Sequence, residues 1–240
     1  ACSGRRSAGG TSLGGNGNQV ANFSATETGG GSVTLTNTGA LQVSSIATGS
    51  EPPSPGGSSL TMQDVTISTT GDLTVASAGI KTQNIGAPPP ADPVVPATPN
   101  ASSSVSLTSG AGAITLNGDI AAGSSGTVTL SSKTGITQPG GKVTGGNLLL
   151  LGDGGANLNQ AANNVGTVAA NVHGELVYRD ANSFTVGTVA GTSGVATSND
   201  NVTLTSGSTL TLDQGIAAGG ATVTLTANRI NQDTATVAGI

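Results

Sequence analysis

The sequence predicts an all-β protein, a parallel β-solenoid whose chain winds in short coils around a thin interior. Three observations predict it. Apolar and polar residues alternate with period two in Val-, Thr-, Leu- and Ile-rich segments, the pattern of strands with one buried face. One phrase is written twice, first from Val105 and again from Val202. Aromatic residues make up only 1% of the chain and charged residues only 8%, against about 25% charged in an average protein.

Composition sets the width of the core. With no Trp, one Tyr (Tyr178) and two Phe (Phe23 and Phe184), few side chains can span a wide interior. A β-sandwich must fill a gap of about 10 Å between sheets, whereas a solenoid stacks small and branched side chains in files along a narrow axis. Helices do not compete, because no apolar stripe of period 3.6 exists and the 39 glycines each cost a helix interior about 1 kcal/mol relative to Ala. At roughly 20 to 25 residues per coil, the 240 residues make about ten coils and a rod of about 50 Å.

In chain order, residues 1–31 read as an irregular or loosely repeated segment. Residues 32–86 read as solenoid coils, starting with "VTLTNTGALQV" from Val33 and "VTISTTGDLTV" from Val65. Val33, Leu35, Leu41 and Val43 point inward in this reading, and Thr34, Thr36 and Gln42 outward, since successive side chains leave a strand on opposite faces. The Pro-rich stretches at 51–59 and 87–100 are loop insertions, because proline cannot donate to a ladder. Residues 101–240 are coils again, with "VSLTSGAGAITL" from Val105 and "VTLTSGSTLTL" from Val202. Within them Ile120–Gly123 matches Ile216–Gly219, Thr127 matches Thr222, Ile136 matches Ile230 and Val143 matches Val237. The offset drifts only from 97 to 94 residues, so the long repeat spans about four or five coils.

The segment "NNVGTVAANVHGELVYRDANSFTVGTVAG", with "SNDNVTLTSGSTLTLDQGIAAGGATVTLTANRINQ" after it, resembles the central repeats of filamentous-haemagglutinin-like exoproteins exported by two-partner secretion. The likeness is close over Val105–Ile240 and looser over Val33–Ile85. It implies a right-handed parallel β-helix forming the stalk of a large secreted or bacterial cell-surface adhesin. An outer-membrane secretion partner and a host-cell or glycan receptor come with that family. The family's amino-terminal secretion domain has no counterpart here, its Asn-Pro-Asn-Gly motif being approached only by "TPNA" from Thr98, so the chain reads as an internal piece of a stalk. Exposed strand edges at the ends of such a rod make end-to-end self-association the expected partner interaction.

Chemistry-bearing residues are sparse. The net charge is −5 and the seven basic residues are scattered, which excludes a phosphate-following stripe and with it nucleic-acid binding. Cys2 is the single cysteine, so no internal disulfide forms, and no apolar run is long enough for a membrane-spanning helix. Glycan-cleaving β-helices need clustered carboxylates on one groove-facing sheet. The one compact polar group is His173, Glu175, Tyr178, Arg179 and Asp180, and it is the candidate site. Turn charges are ordinarily solvated, so the expectation is a non-enzymatic protein without catalytic residues, metal or cofactor. "GDGG" from Gly152 occurs once, and Asp119 and Asp213 align with Gly215 and Asn117, so no calcium ladder is expected. Outward Thr rows offer another reading, a hydroxyl-and-methyl surface that organises water or ice.

Overall fold

A computed structural model describes residues 3–7, 10–15, 17–27, 31–49, 63–82 and 102–232. Among these there is no helix, and the strands wind into a parallel β-solenoid, as predicted. The longest ladder stacks ten strands, from Ser3–Ser7 to Val223–Thr226. Its first and last circuits are only partly described, which leaves about eight complete turns, close to the predicted ten. The Pro-rich insertions, Cys2 and Val237 lie outside the described residues.

The coil has three faces. On the first, the strands Thr11–Leu13, Val33–Asn37, Val65–Thr69, Val105–Ser109 and Thr127–Ser132 lie in register and continue into 147–152 and 167–172. The second face is the ten-strand ladder, and the third is short, with Ile46, Ile80, Ile120 and Val143 directly above one another. Register puts like on like. Leu35, Ile67, Leu107, Leu130 and Leu150 form one file, and none is more than 1% exposed. Val33, Leu35, Leu41 and Val43 are all buried in the common core, while Thr34, Thr36 and Gln42 are not.

Strand ends carry a second device. The fifth residue of the Val-Thr-Leu-Thr-x strand is also inward, yet polar: Asn37, Thr69, Ser109 and Ser132 are stacked and buried. Ser109 Oγ donates to the Gly71 carbonyl (2.7 Å), Ser132 Oγ to the Gly112 carbonyl (2.9 Å) and, on the second face, Ser206 Oγ to the Asn182 carbonyl (2.7 Å). Thr69 Oγ1 does the same to Gly39. Each hydroxyl thus bonds a turn carbonyl of the coil before it, and at Gly39 and Gly112 it adds to the backbone N–H that Gly71 and Thr134 already donate there. At the strand starts the direction reverses: Ser32 Oγ accepts from Asp64 N–H (3.1 Å), Asp64 Oδ1 from Ser104 N–H (2.8 Å) and Ser104 Oγ from Thr127 N–H (3.0 Å).

Stacked corners demand glycine where backbones converge. Gly79 has φ +75°, and a Cβ there would sit 2.3 Å from the Asp119 carbonyl oxygen of the next coil. A side chain is excluded on both counts.

The first 31 residues, read from sequence as irregular or loosely repeated, contain three ladder strands: Ser3–Ser7, Thr11–Leu13 and Asn22–Glu27. Their rhythm is hidden because Thr11 and Glu27 occupy inward positions, joined by a Thr11 Oγ1 to Glu27 Oε1 hydrogen bond of 2.5 Å.

The two long-repeat copies do not occupy the same face. Val105 pairs with Val65 and Val128 on the first face, whereas Val202 pairs with Leu176 and Val223 on the second. The file of Val202 runs back through Leu176, Ala156, Ile136 and Ile114 to Leu73. The repeat therefore advances four turns and one further face. Strand, turn and strand form a local unit that any corner accepts, because all faces present the same narrow apolar interior.

Leu107→Ala is expected to lower the unfolding free energy by about 2–5 kcal/mol, since a stacked file cannot collapse around the cavity. Ser109→Ala removes an acceptor for Gly112 N–H and the donor to Gly71, at about 1–3 kcal/mol. Urea titration followed by circular dichroism measures both, and a surface value near zero for Ser109→Ala contradicts the corner role.

Candidate functional site

The sequence cluster His173, Glu175, Tyr178, Arg179 and Asp180 is divided by the wall of the solenoid. Strand Leu176–Asp180 alternates strictly, so Leu176, Tyr178 and Asp180 face the core while Arg179 faces solvent. His173 and Glu175 precede the strand in an exposed turn. Tyr178 is 0% and Asp180 1% exposed, so two of the five groups lie inside the rod, out of reach of a substrate in solvent.

Within the core, Tyr178 Oη donates to Asp180 Oδ2 at 2.6 Å, Val165 N–H to the same oxygen at 2.9 Å and Asn182 N–H to Oδ1 at 2.8 Å. Three donors are what a buried carboxyl group needs to be satisfied. Burial, then the Asp180 charge and the hydrogen bond to it, push the Tyr178 phenol far above the usual tyrosine range, so the phenol remains a neutral donor. Its ring meets Phe184 edge to face, with centroids 5.2 Å apart and planes at 88°. The single Tyr and one of the two Phe thus pack together in an interior that is otherwise aliphatic apart from Phe23 and the buried polar residues.

One turn away lies a polar pair that the sequence analysis did not single out. Gln138 and Asn163 are buried and exchange amide hydrogen bonds, Gln138 Nε2 to Asn163 Oδ1 at 2.7 Å and Asn163 Nδ2 to Gln138 Oε1 at 3.0 Å. Asn163 also accepts from Val143 N–H (2.8 Å) and donates to the carbonyls of Leu158 (3.2 Å) and Arg179 (3.1 Å). Gln138 sits two positions after inward Ile136, so the alternation itself carried the signal. All these partners are intramolecular, and the pair ties three coils together.

Outside, Lys133, Asp153 and His173 stand one coil apart beside the paired strand ends Ser132, Gly152 and Val172. Lys133 forms a salt bridge with Asp153, and His173 Nδ1 lies 3.4 Å from Asp153 Oδ1. The Lys133 hydrogen bond and charge, followed by His173, hold the Asp153 carboxyl below its ordinary value. A lowered folded-state pKa contributes stability above the ordinary carboxylate pKa, and this is lost as pH falls through the lowered value. All three side chains are about half exposed, so screening keeps the effect small.

The remaining surface feature is the hydroxyl array on the first face. Ser12, Thr34, Thr66, Ser106 and Thr129 form one outward file, and Thr36, Ser68, Thr108 and Ser131 form the next. On the same face the files continue with Leu149 and Leu151. Among the described residues, no group of three or more His, Cys, Asp or Glu is placed to hold a metal ion. No helix among them is long and apolar enough to cross a membrane.

Comparison with protein-family models, with curated proteins and with solved structures finds no match to this chain.

Tyr178→Phe leaves Asp180 short of one donor and is expected to destabilise the fold by about 1–3 kcal/mol. Glu175→Gln, on the outer turn, is expected to stay within about 0.5 kcal/mol. Thermal melts of both variants check the division between inside and outside. Lys133→Ala is expected to return the Asp153 titration toward 3.8, read from its side-chain carboxyl resonance.

Proposed function

We propose that this chain is a structural rod: the stalk or scaffold of a large secreted or cell-surface bacterial adhesin, of the filamentous-haemagglutinin-like kind exported by two-partner secretion. The observation that carries the reading is the unbroken parallel ladder of ten strands, whose interior is spent on stacking and on satisfying its own polar groups. The fold agrees with the β-helical stalk that the sequence resemblance implies. Each coil completes the hydrogen bonds of its neighbour, so length is added without enlarging the core. The same geometry lets rods associate end to end, since a terminal coil is a template for another. An outer-membrane secretion partner and a host-cell or glycan receptor belong to this reading.

The in-register hydroxyl files support a second reading. Stacked about 4.8 Å apart along the rod, they form a flat array of hydroxyls and methyls suited to an ordered water or ice surface.

Negative-stain electron microscopy of the purified chain is expected to show rods about 40–50 Å long, as ten stacked strands require, together with end-to-end multiples at high concentration. Discrete compact particles at every concentration overturn the assembly claim. Thermal hysteresis with faceted ice crystals, lost in Thr66→Leu, transfers the function to the hydroxyl array; its absence removes that reading.

A further inference from the structure

Leu149, Leu151 and Ala169 break the rule of the outer wall. In their files the preceding outward residues are Thr129 and Ser131, and the coils before those also carry hydroxyls. Leu148 and Leu150 belong to the main core, whereas Leu149 and Ala169 form a separate apolar cluster on the other side of the strands. Yet Leu149 is only 5% exposed and Ala169 0%.

What covers them is the one antiparallel pair among the described residues. At the next layer of the same face, Val186 pairs with Val168 and Val195 with Ala170. Where a plain strand would place one residue between these positions, the chain inserts Gly187 to Gly194. Thr188–Val189 and Thr192–Ser193 pair as a hairpin, and Val189, 3% exposed, packs on Leu149 and Ala169 with Leu151 beside it. The hairpin is sharply specified. Ala190 and Gly191 both have positive φ (48° and 87°), the two-residue turn that suits strand twist. Gly194 has φ +72°, and a Cβ there would meet the Gly215 carbonyl oxygen at 2.2 Å. The base closes through Gly194 N–H to the Gly187 carbonyl at 2.8 Å.

An outward apolar patch on a repeat wall is a lateral contact surface unless something occupies it. Along the files this patch is bordered by Thr129, Ser131 and Asn171, all uncharged, and beyond Leu151 the Lys133–Asp153 ion pair carries both signs, so two copies of the face meet without a net like-charge repulsion. Three side chains alone are too small for a stable dimer, and the flat hydroxyl face continuous with them supplies the remaining area. We propose that the Thr188–Ser193 hairpin is a built-in cover over a lateral docking surface, and that the partner fitting the uncovered surface is the same face of a second copy. The cover limits association to the rod ends.

The test replaces Thr188–Ser193 by a short glycine linker between Gly187 and Gly194 and measures mass by sedimentation velocity over a range of concentrations. The expected result is a concentration-dependent dimer that reverts to the parent's behaviour when Leu149→Thr and Leu151→Thr are added. End-to-end association, by contrast, is indifferent to those two substitutions. A folded linker variant that sediments as the parent does overturns the proposal, as does a dimer that survives both substitutions. If the linker variant fails to fold, Val189→Asp in the intact hairpin is read instead. A several-fold rise in apolar-dye fluorescence with dimer formation supports the cover, and an unchanged signal and mass overturn it.

Discussion

Everything in this molecule depends on coils lying in register on one another. A parallel ladder pairs each residue with its equivalent one turn on, so an inward Leu meets a Leu or Ile above and below, as along Leu35, Ile67, Leu107, Leu130 and Leu150. The interior is then a set of short aliphatic files and never becomes wide. That accounts for the scarcity of aromatics better than any functional constraint does. It also explains the corners, where backbones of successive coils touch. Glycine is needed at the closest approaches, and small hydroxyl side chains are needed to complete the turn carbonyls.

The wall that stacking builds separates chemistry into two compartments. Period-two alternation sends neighbours in sequence to opposite sides, so Tyr178 and Asp180 stabilise the interior while Arg179, between them, meets solvent. A compact group of polar residues in a β-solenoid sequence is therefore not one site unless its members share parity. The surface that remains is made of files along the axis: hydroxyls on much of the first face, the Lys133–Asp153 ion pair with His173 next to it, and the hairpin-covered patch beside them. Each file exists because residues one coil apart, not residues adjacent in sequence, are neighbours.

Much of this was legible. The alternation assigned Val33, Leu35, Leu41 and Val43 to the core, and the lack of a helical period excluded helices from the same segments. The polar inward residues keep the same parity, but their polarity masks it. Asn37, Thr69, Ser109 and Ser132 occupy inward positions, as do Gln138 and Asn163, but polarity alone assigns such residues to the surface or to turns. Only the turn carbonyls and amide partners supplied by adjacent coils make their burial favourable. The candidate cluster is divided for the complementary reason, because neighbours along a strand point to opposite sides of the wall.

The sequence by itself determined the class of architecture, since periodicity, small side chains and repeated strand-turn phrases act locally and suit few folds. The tertiary structure decided where those phrases lie. Two nearly identical copies sit on different faces, because a strand-turn-strand unit specifies a corner without specifying which corner. It also decided that four apolar letters in a row, Leu148 to Leu151, are shared between the interior and an outer patch. The hairpin that covers that patch is separated from it by some forty residues of chain, about two circuits, and no local pattern connects the two.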